Sequence, residues 1–427
     1  MKPNARSRAA FTTFAKTPLA IALCVTSASA LASPEAFSPS RSFAMGGTGV
    51  AIAHPAAAGA SNPAMLASKN HEWSDDFGLI LPSVNARFAD EEETIDQIDD
   101  IQDAIDEFGD IQNVDQAEAR RIAGDLRERL TAFDRDTVRI NAAVGVAFAI
   151  PTESYSVGFF TNGNLQATVR GEFDAADEQL LRDIENNVVP AAGADLDTEL
   201  QSRGRVLAAA VSEVGISIAK SIELANGNQL QVGVSPKYVQ LRTFQYTEAV
   251  SGFEDDDFDS DENETDESGI NLDIGAAYAF GDEKAWNAGV VVRNLIPMEL
   301  DSAASRPQLG EEEYTLELNP MLTAGIAHSG DFHVLTAELD LTKKEGFGYA
   351  DDTQWLAVGV ELDAWRYAQL RFGARQNLAS NDDNNGIEED TQFTAGIGVS
   401  VFGARLDLGA LVSDAEMGAA LELGAAF

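Results

Sequence analysis

Along most of the chain, apolar and polar side chains alternate in steps of two. From Arg366 to Asn377, Ala368, Leu370, Phe372 and Ala374 share one face, and Gln369, Arg371, Arg375 and Asn377 share the other. From Val138 to Ile150, Val138, Ile140, Val144, Val146, Phe148 and Ile150 share a face, opposite Arg139, Asn141 and several small residues. Successive side chains of a strand point to opposite sides, so each segment predicts a β-strand whose two faces meet different surroundings. The same pattern marks strands near 77–88, 137–150, 154–173, 206–222, 228–247, 268–281, 284–296, 314–328, 331–342, 354–363, 366–377, 391–402, 404–413 and 417–427. That is about 14 strands, an even number.

The connections between them also alternate. Short ones fall at Pro151-Thr152-Glu153, Ala225 to Gly227, Gly281 to Glu283, Ser329-Gly330, Ala364-Trp365 and Gly403, and longer acidic ones fall mostly in between. Tight turns on one side and long loops on the other are the pattern of an outer-membrane barrel, with turns in the periplasm and loops outside. A soluble sandwich also hides alternating apolar faces, so alternation alone does not choose between them. Two details favour lipid. Phe148, Tyr155, Trp286 and Phe427 sit on apolar faces near the short turns, where an interfacial aromatic girdle belongs. The chain ends LELGAAF, with Leu421, Leu423 and Phe427 on one face, an ending that resembles the signal by which outer-membrane barrels are recognised for insertion. The predicted fold is therefore all-β: a transmembrane antiparallel barrel over residues 77–427, closed so that no sheet edge meets lipid.

Two connections break the period of two. Ile95, Ile98, Ile101, Ile105 and Phe108 recur at helical spacing, continued by Ile122, Leu126 and Leu130, which places a helical acidic insertion at 90–135 on the extracellular side. A second, weaker insertion lies at 174–202. Their apolar stripes are expected to pack on the barrel mouth or on each other rather than on a partner.

Composition then sets the compartment. Residues 1–32 carry Lys2, Arg6, Arg8 and Lys16, an apolar stretch from Pro18 to Val25 and small residues from Ser27 to Ala32, the form of a secretory signal peptide. Cleavage there would remove Cys24, the only cysteine, and with it thiolate metal sites and cysteine chemistry. The formal net charge of −41 opposes any nucleic-acid partner. Acid concentrates in the loops, at 91–110, 254–268, 311–313 and 381–390. Asn381-x-Asp383-x-Asn385-Gly386 matches half of an EF-hand loop, but Gln392 stands where the closing glutamate belongs, so solvated loop acid is the expectation and no metal is assigned. With no nucleophile elbow and only His54, His71, His328 and His333 as histidines, neither an enzyme nor a cofactor is expected.

The segment before the first strand is different again. Residues 41–67 read RSFAMGGTGVAIAHPAAAGASNPAMLA. Gly47-Thr48-Gly49 begins like a dinucleotide fingerprint, but Ile52 occupies the place of the third glycine and no Gly-Lys-Ser/Thr follows. A barrel of roughly eight strands is filled by its own side chains and one of about 16 leaves a channel, so about 14 strands need a plug or make a pore. Small residues and bare backbone are tolerated at membrane depth where they fill a cavity, so residues 33–76 are predicted to be a hatch inside the lumen.

RSFAMGGTGVAIA followed by SNPAMLA resembles the amino-terminal hatch of the FadL-type long-chain fatty acid transporters, where a Gly-Gly segment and an Asn-Pro-Ala motif lie inside a 14-stranded barrel. The plasmid-transfer TraF-like family of that superfamily is a closer match. There the same motifs lead into a segment like DDFGLILPSVNARFAD and an acidic insertion like EEETIDQIDDIQDAID, and GVSPKYVQL looks like a recurring strand motif. On this resemblance the hatch motif residues are Met45, Gly46, Gly47, Gly49, Asn62, Pro63 and Ala64. The resemblance also implies a hydrophobic ligand that passes the hatch and leaves through a kink in the third strand. In this chain Asn162, Gly163 and Asn164 suit such a kink, or equally a loop between two shorter strands. Arg139, Lys237, Arg293, Arg371 and Arg375 are the lumen candidates for holding a carboxylate head group, or they are neutralised by Glu338, Asp340, Glu361, Asp363 and Asp407.

The expected function is binding or transport of a small hydrophobic ligand, such as a fatty acid, across the bacterial outer membrane. The alternative is a structural part of a conjugal-transfer apparatus. Expected partners are outer-membrane lipid, the ligand, the barrel-assembly machinery and, on the alternative, conjugation proteins.

Overall fold

The computed structural model describes residues 37–68, 78–90, 94–150, 152, 155–250, 261–364, 367–381, 387 and 390–426. The expected signal at 1–32, His71, Phe427 and most of the half EF-hand run lie outside the described residues. The strands are β1 (Gly78–Asp90), β2 (Thr137–Ile150), β3 (Ser156–Glu172), β4 (Arg203–Glu223), β5 (Gln229–Ala249), β6 (Glu264–Phe280), β7 (Trp286–Arg293), β8 (Met298–Asp301), β9 (Thr315–Leu318), β10 (Met321–Ser329), β11 (His333–Asp340), β12 (Trp355–Ala364), β13 (Ala368–Asn377), β14 (Thr391–Val401), β15 (Ala404–Val412) and β16 (Glu416–Ala426). All but β8 and β9 close into one barrel of 14, in which β1 pairs with both β2 and β16.

The burial of side chains is inverted relative to a soluble protein. On β13, Arg371 is completely buried while its neighbours Leu370 and Phe372 are each 51 % exposed. A soluble sandwich would hide the leucine and wet the arginine. Lipid outside and a polar interior demand the reverse, so the barrel reading stands and the sandwich falls. Short turns gather at one end, the turn end, and long connections at the other, the loop end. Near the turn end an outward ring ladder runs Tyr278, Phe280, Trp286 and His328, and Phe148 stacks on Phe159 at 5.6 Å.

Three details differ from the sequence expectation. The strand expected over 314–328 is two, because Pro320 between them has no N–H for a ladder; β9 turns back to pair with β8 in a separate ribbon. The third strand shows no bulge or break at the expected kink. Asn162, Gly163 and Asn164 pair in unbroken register with β2 and β4, because the two asparagines point inward and leave the backbone free to continue the ladder. The register shift falls instead in β1, between Ile80 and Ser83, where Pro82 cannot donate.

At the loop end, helices α2 (Thr94–Ile111) and α3 (Gln116–Phe133) join β1 to β2, and α4 (Ala175–Glu185) lies between β3 and β4, following the short α1 (Ser40–Phe43) near the start of the chain. Phe108, Leu126, Phe133, Leu181 and Ile184 form one buried core among them. Asp115 and Asp174 cap the helix starts by accepting backbone N–H bonds. Asp177, 1 % exposed, accepts the amides of Gln201 and Ser202 and ties the returning chain to α4.

Candidate functional site

Residues 37–68 run through the barrel interior. Three short turns shape them: α1, then helical turns at Pro55–Ala60 and Pro63–Ala67, each with proline first. His54 and Asn62 precede the two prolines, and each accepts a backbone N–H two residues on, which closes the turn locally. Small residues let this backbone lie against the wall, and the wall has glycine where it arrives. A Cβ on Gly359 would sit 2.7 Å from the Met45 carbonyl oxygen. On Gly373 it would strike the Gly46 amide, on Gly289 the Val50 carbonyl, on Gly233 the Pro63–Ala64 peptide, and on Gly275 the Asn62 side chain.

Polar groups of the wall hold the segment. Glu338 on β11 accepts the amides of Gly49 and Val50 at 2.8 and 2.6 Å. The glycine run is thus an amide nest of the kind that binds anions, and its anion is a carboxylate of the same chain. Gly46 donates to Thr394 Oγ1 at 2.9 Å and Asn287 donates to the Ala51 carbonyl at 2.7 Å, while within the segment Asn62 Nδ2 donates to the Val50 carbonyl at 2.9 Å. Below the nest, Arg41 grips Glu361 with two bonds of 2.7 and 2.9 Å, and the Ser40 amide donates to Glu422 at 3.0 Å.

The segment has a chamber on each side. The loop-end chamber, about 160 Å³, is bounded by Gly49, Val50 and Glu338 below and by Trp355, Met321 and Asp340 towards the loops. The turn-end chamber, about 100 Å³, lies between Ile52 and His54 of the segment and Asp363 and Arg405 of the wall. A recess of about 40 Å³ beside the first chamber shares Gly46, Gly47, Asn164 and Arg375 with it and adds Arg87 and Asn141.

The five cations singled out in the sequence all sit on the inner face and are dispersed around it. Arg371 lies between Glu361 and Asp407 at 2.6 and 2.5 Å. Lys237 bonds Glu213, Asp273 and Asn294 within 2.9 Å. Arg139 reaches Glu416 at 3.5 Å. Arg293 donates to the Ala60 carbonyl at 3.2 Å, and Arg375 donates to Gln392 at 2.6 Å with its guanidinium 4.1 Å over the Trp355 ring.

Of the acids named with them, Glu361 and Asp407 take the pairing role. Glu338 holds backbone amides, and Asp340 accepts from Thr323 at 2.8 Å and from the Trp355 amide at 3.2 Å. Sequence reading missed Arg41, Arg87, Arg405, Glu416 and Glu422. Arg87 was hidden by the extra residue at Leu81-Pro82: counted in twos from the outward Leu79 it falls outside, and after the shift it is 8 % exposed and inward. The inward glycines were a legible signal, because strands seldom place glycine without a close neighbour to admit.

The loop end is partly roofed. The β8–β9 ribbon and Phe347 pack on Leu207, Val239 and Leu241 of the inner wall. Tyr349 in the connection before β12 donates to Glu172 at 3.1 Å, with the Arg170 guanidinium 4.0 Å from its ring. Burial, reinforced by the neighbouring Tyr314, pushes the Tyr349 phenol well above its ordinary range, so it serves as a donor.

A sequence profile for the family described as "F plasmid transfer operon, TraF, protein" matches residues 59–340, more than half of the chain. The chain belongs to this TraF family. In solved structures the barrel is similar to the CymD monoaromatic hydrocarbon channel, with TM-score 0.52 and 12 % identity over 91 % of this chain and 97 % of that one. It is also similar to a TodX deltaS2S3 mutant monoaromatic hydrocarbon channel, with TM-score 0.51 and 12 % identity over 92 % and 99 %. A FadL homologue from Pseudomonas aeruginosa aligns over 93 % and 99 % at 10 % identity and TM-score 0.49. No curated protein matches the sequence. At 12 % identity the likeness to the CymD and TodX channels shows the fold alone, a closed barrel that this TraF-family chain shares.

Proposed function

We propose that this TraF-family barrel is a non-enzymatic channel of the bacterial outer membrane for small hydrophobic or amphipathic compounds, with residues 33–76 as its plug. The observation that carries this reading is the segment 37–68 itself, which spans the lumen with a chamber on either side and is held by non-covalent bonds. Bonds of this kind contribute about 0.5–3 kcal/mol each, few enough to rearrange when a ligand arrives. The turn end then faces the periplasm and the roofed loop end the outside. A part in plasmid transfer has only the family's description behind it, and the barrel geometry does not favour it; mating frequency in a deletion strain tests it separately.

The channel reading is checked by mass spectrometry of the gently purified barrel together with uptake in the deletion strain. A co-purifying hydrophobic compound and slowed uptake are expected. An empty lumen with uptake unchanged would contradict it.

A further inference from the structure

The connection from β11 to β12 leaves Asp340 and returns to Trp355, on strands that pair with each other. A tight turn could join such neighbours, yet residues 341–354 run across the mouth of the barrel to its far wall. There Tyr349 donates to Glu172, the last residue of β3, at 3.1 Å. Round the closed barrel β3 lies seven strands from β12 in either direction, so this strap spans the full width of the lumen.

The strap has a root and a tip. At the root, Lys344 and Thr353 exchange backbone hydrogen bonds of 2.9 and 2.8 Å, and Gly346 donates to Asp352 Oδ1 at 3.0 Å. Asp352 is fixed to the barrel end, its carbonyl accepting from Asn377 at 2.9 Å. The tip, Phe347 to Ala350, closes on itself through the Ala350 amide and the Phe347 carbonyl at 3.2 Å. Its grip on the far wall comes from side chains. Phe347, 3 % exposed, fills an apolar socket of Leu207, Val239 and Leu241 of the wall with Met298 and Leu316 of the β8–β9 ribbon.

Two features suit this grip to release. A root with backbone bonds and a tip held by side chains separate a fixed hinge from a detachable end. Glu172 takes Arg203 and Arg205 on Oε2 at 2.7 and 3.2 Å and Tyr349 on Oε1, so the carboxylate stays paired when the tyrosine leaves. Position gives release a consequence. Lys344 and Thr353 of the strap line the loop-end chamber, and Gly49 and Val50 bound it from below.

We infer that residues 341–354 are an outer gate: withdrawal of Phe347 and Tyr349 from the far wall opens the loop-end chamber to the outside while residues 37–68 stay in place. The gate goes beyond the channel reading and rests on it only for what passes through.

The test uses the purified full chain in detergent with Ala357→Cys, at a chamber position 5 % exposed, and follows reaction of that thiol with a water-soluble maleimide. Adding Phe347→Ala should speed labelling by about 10- to 100-fold, the equilibrium worth of burying one phenylalanine side chain. Gel mobility before and after heating checks folding. A second variant locks the gate instead of loosening it. A Cβ on Gly348 lies 3.6 Å from that of Leu207, within the roughly 3.5–4.5 Å of a disulfide, and the only natural cysteine is Cys24. Cells whose chain carries Leu207→Cys and Gly348→Cys together should take up toluene several-fold more slowly after oxidation and recover with reductant, and neither single substitution should respond. Unchanged labelling in Phe347→Ala, or undiminished uptake through a strap shown by mass spectrometry to be bridged, overturns the gate and leaves the channel reading intact. Toluene uptake by the parent chain no faster than in the deletion strain would count against the channel reading instead, with labelling still deciding the gate.

Discussion

The two chambers flanking residues 37–68 are lined by the same kinds of residue and use them differently. At the turn end, Arg371 lies between Glu361 and Asp407, Arg405 pairs with Asp407, and Arg41 of the plug joins Glu361. At the loop end, Lys237 pairs with Glu213 and Asp273, and Arg375 donates to Gln392 with its guanidinium over the Trp355 ring. A buried charge with its counter-charge in place is committed to holding the structure; at the turn end that network takes in Arg41 as well as the wall, whereas Lys237 draws both of its carboxylates from the wall alone. The difference lies in where the counter-charge sits, not in the number of arginines.

Breaking the turn-end network should have the largest effect. Asp407→Asn leaves Arg371 and Arg405 short of a buried partner, and a cost of about 3–5 kcal/mol is expected as a lower urea midpoint of the folded barrel. A midpoint equal to that of the parent chain would mean the network is not structural.

Next is the contact between plug and wall. Gly373→Leu puts a side chain where the Gly46 amide lies, so the plug must shift or the barrel strain by about 1–3 kcal/mol. Cells carrying this variant should take up a large antibiotic that the parent chain excludes; unchanged exclusion would separate plug packing from closure. Glu338→Gln keeps an acceptor for Gly49 and Val50 and removes its charge, a loss of about 1–2 kcal/mol. Faster hydrogen exchange at those two amides is the readout, and unchanged protection would show that the nest does not need an anion.

The smallest effect sharpens the comparison most. Asn164→Leu removes a buried carboxamide whose Oδ1 has no hydrogen bond among the described residues, so stability should hold or rise by up to about 1 kcal/mol. A large loss of thermal stability would instead make Asn164 part of the structure.

Much of this architecture was legible in the chain. Period-two alternation placed the barrel strands, because lipid outside and polar groups inside impose opposite demands on neighbouring residues such as Leu370 and Arg371. Pro320 and Pro82 lie where the reading failed, one splitting a strand and the other shifting the phase that hid Arg87. The site was legible as a set of inward cations and illegible as a site. Which carboxylate meets which cation depends on strands far apart in sequence, as Arg371 on β13 meets Asp407 on β15 and Arg41 meets Glu361. The GGTGVA run shows the same limit: its spacing excluded a phosphate loop and pointed to a hatch, and only the closed barrel showed that its amides meet Glu338.

Whether residues 37–68 close the lumen, as proposed, is measured most directly by conductance across a planar bilayer. The purified chain and a variant lacking residues 41–67 would be compared under one applied voltage. Low, flickering conductance for the parent chain and a steady, larger conductance for the deletion are predicted. Equal conductance from the two, with both shown to be folded and inserted, would contradict the account.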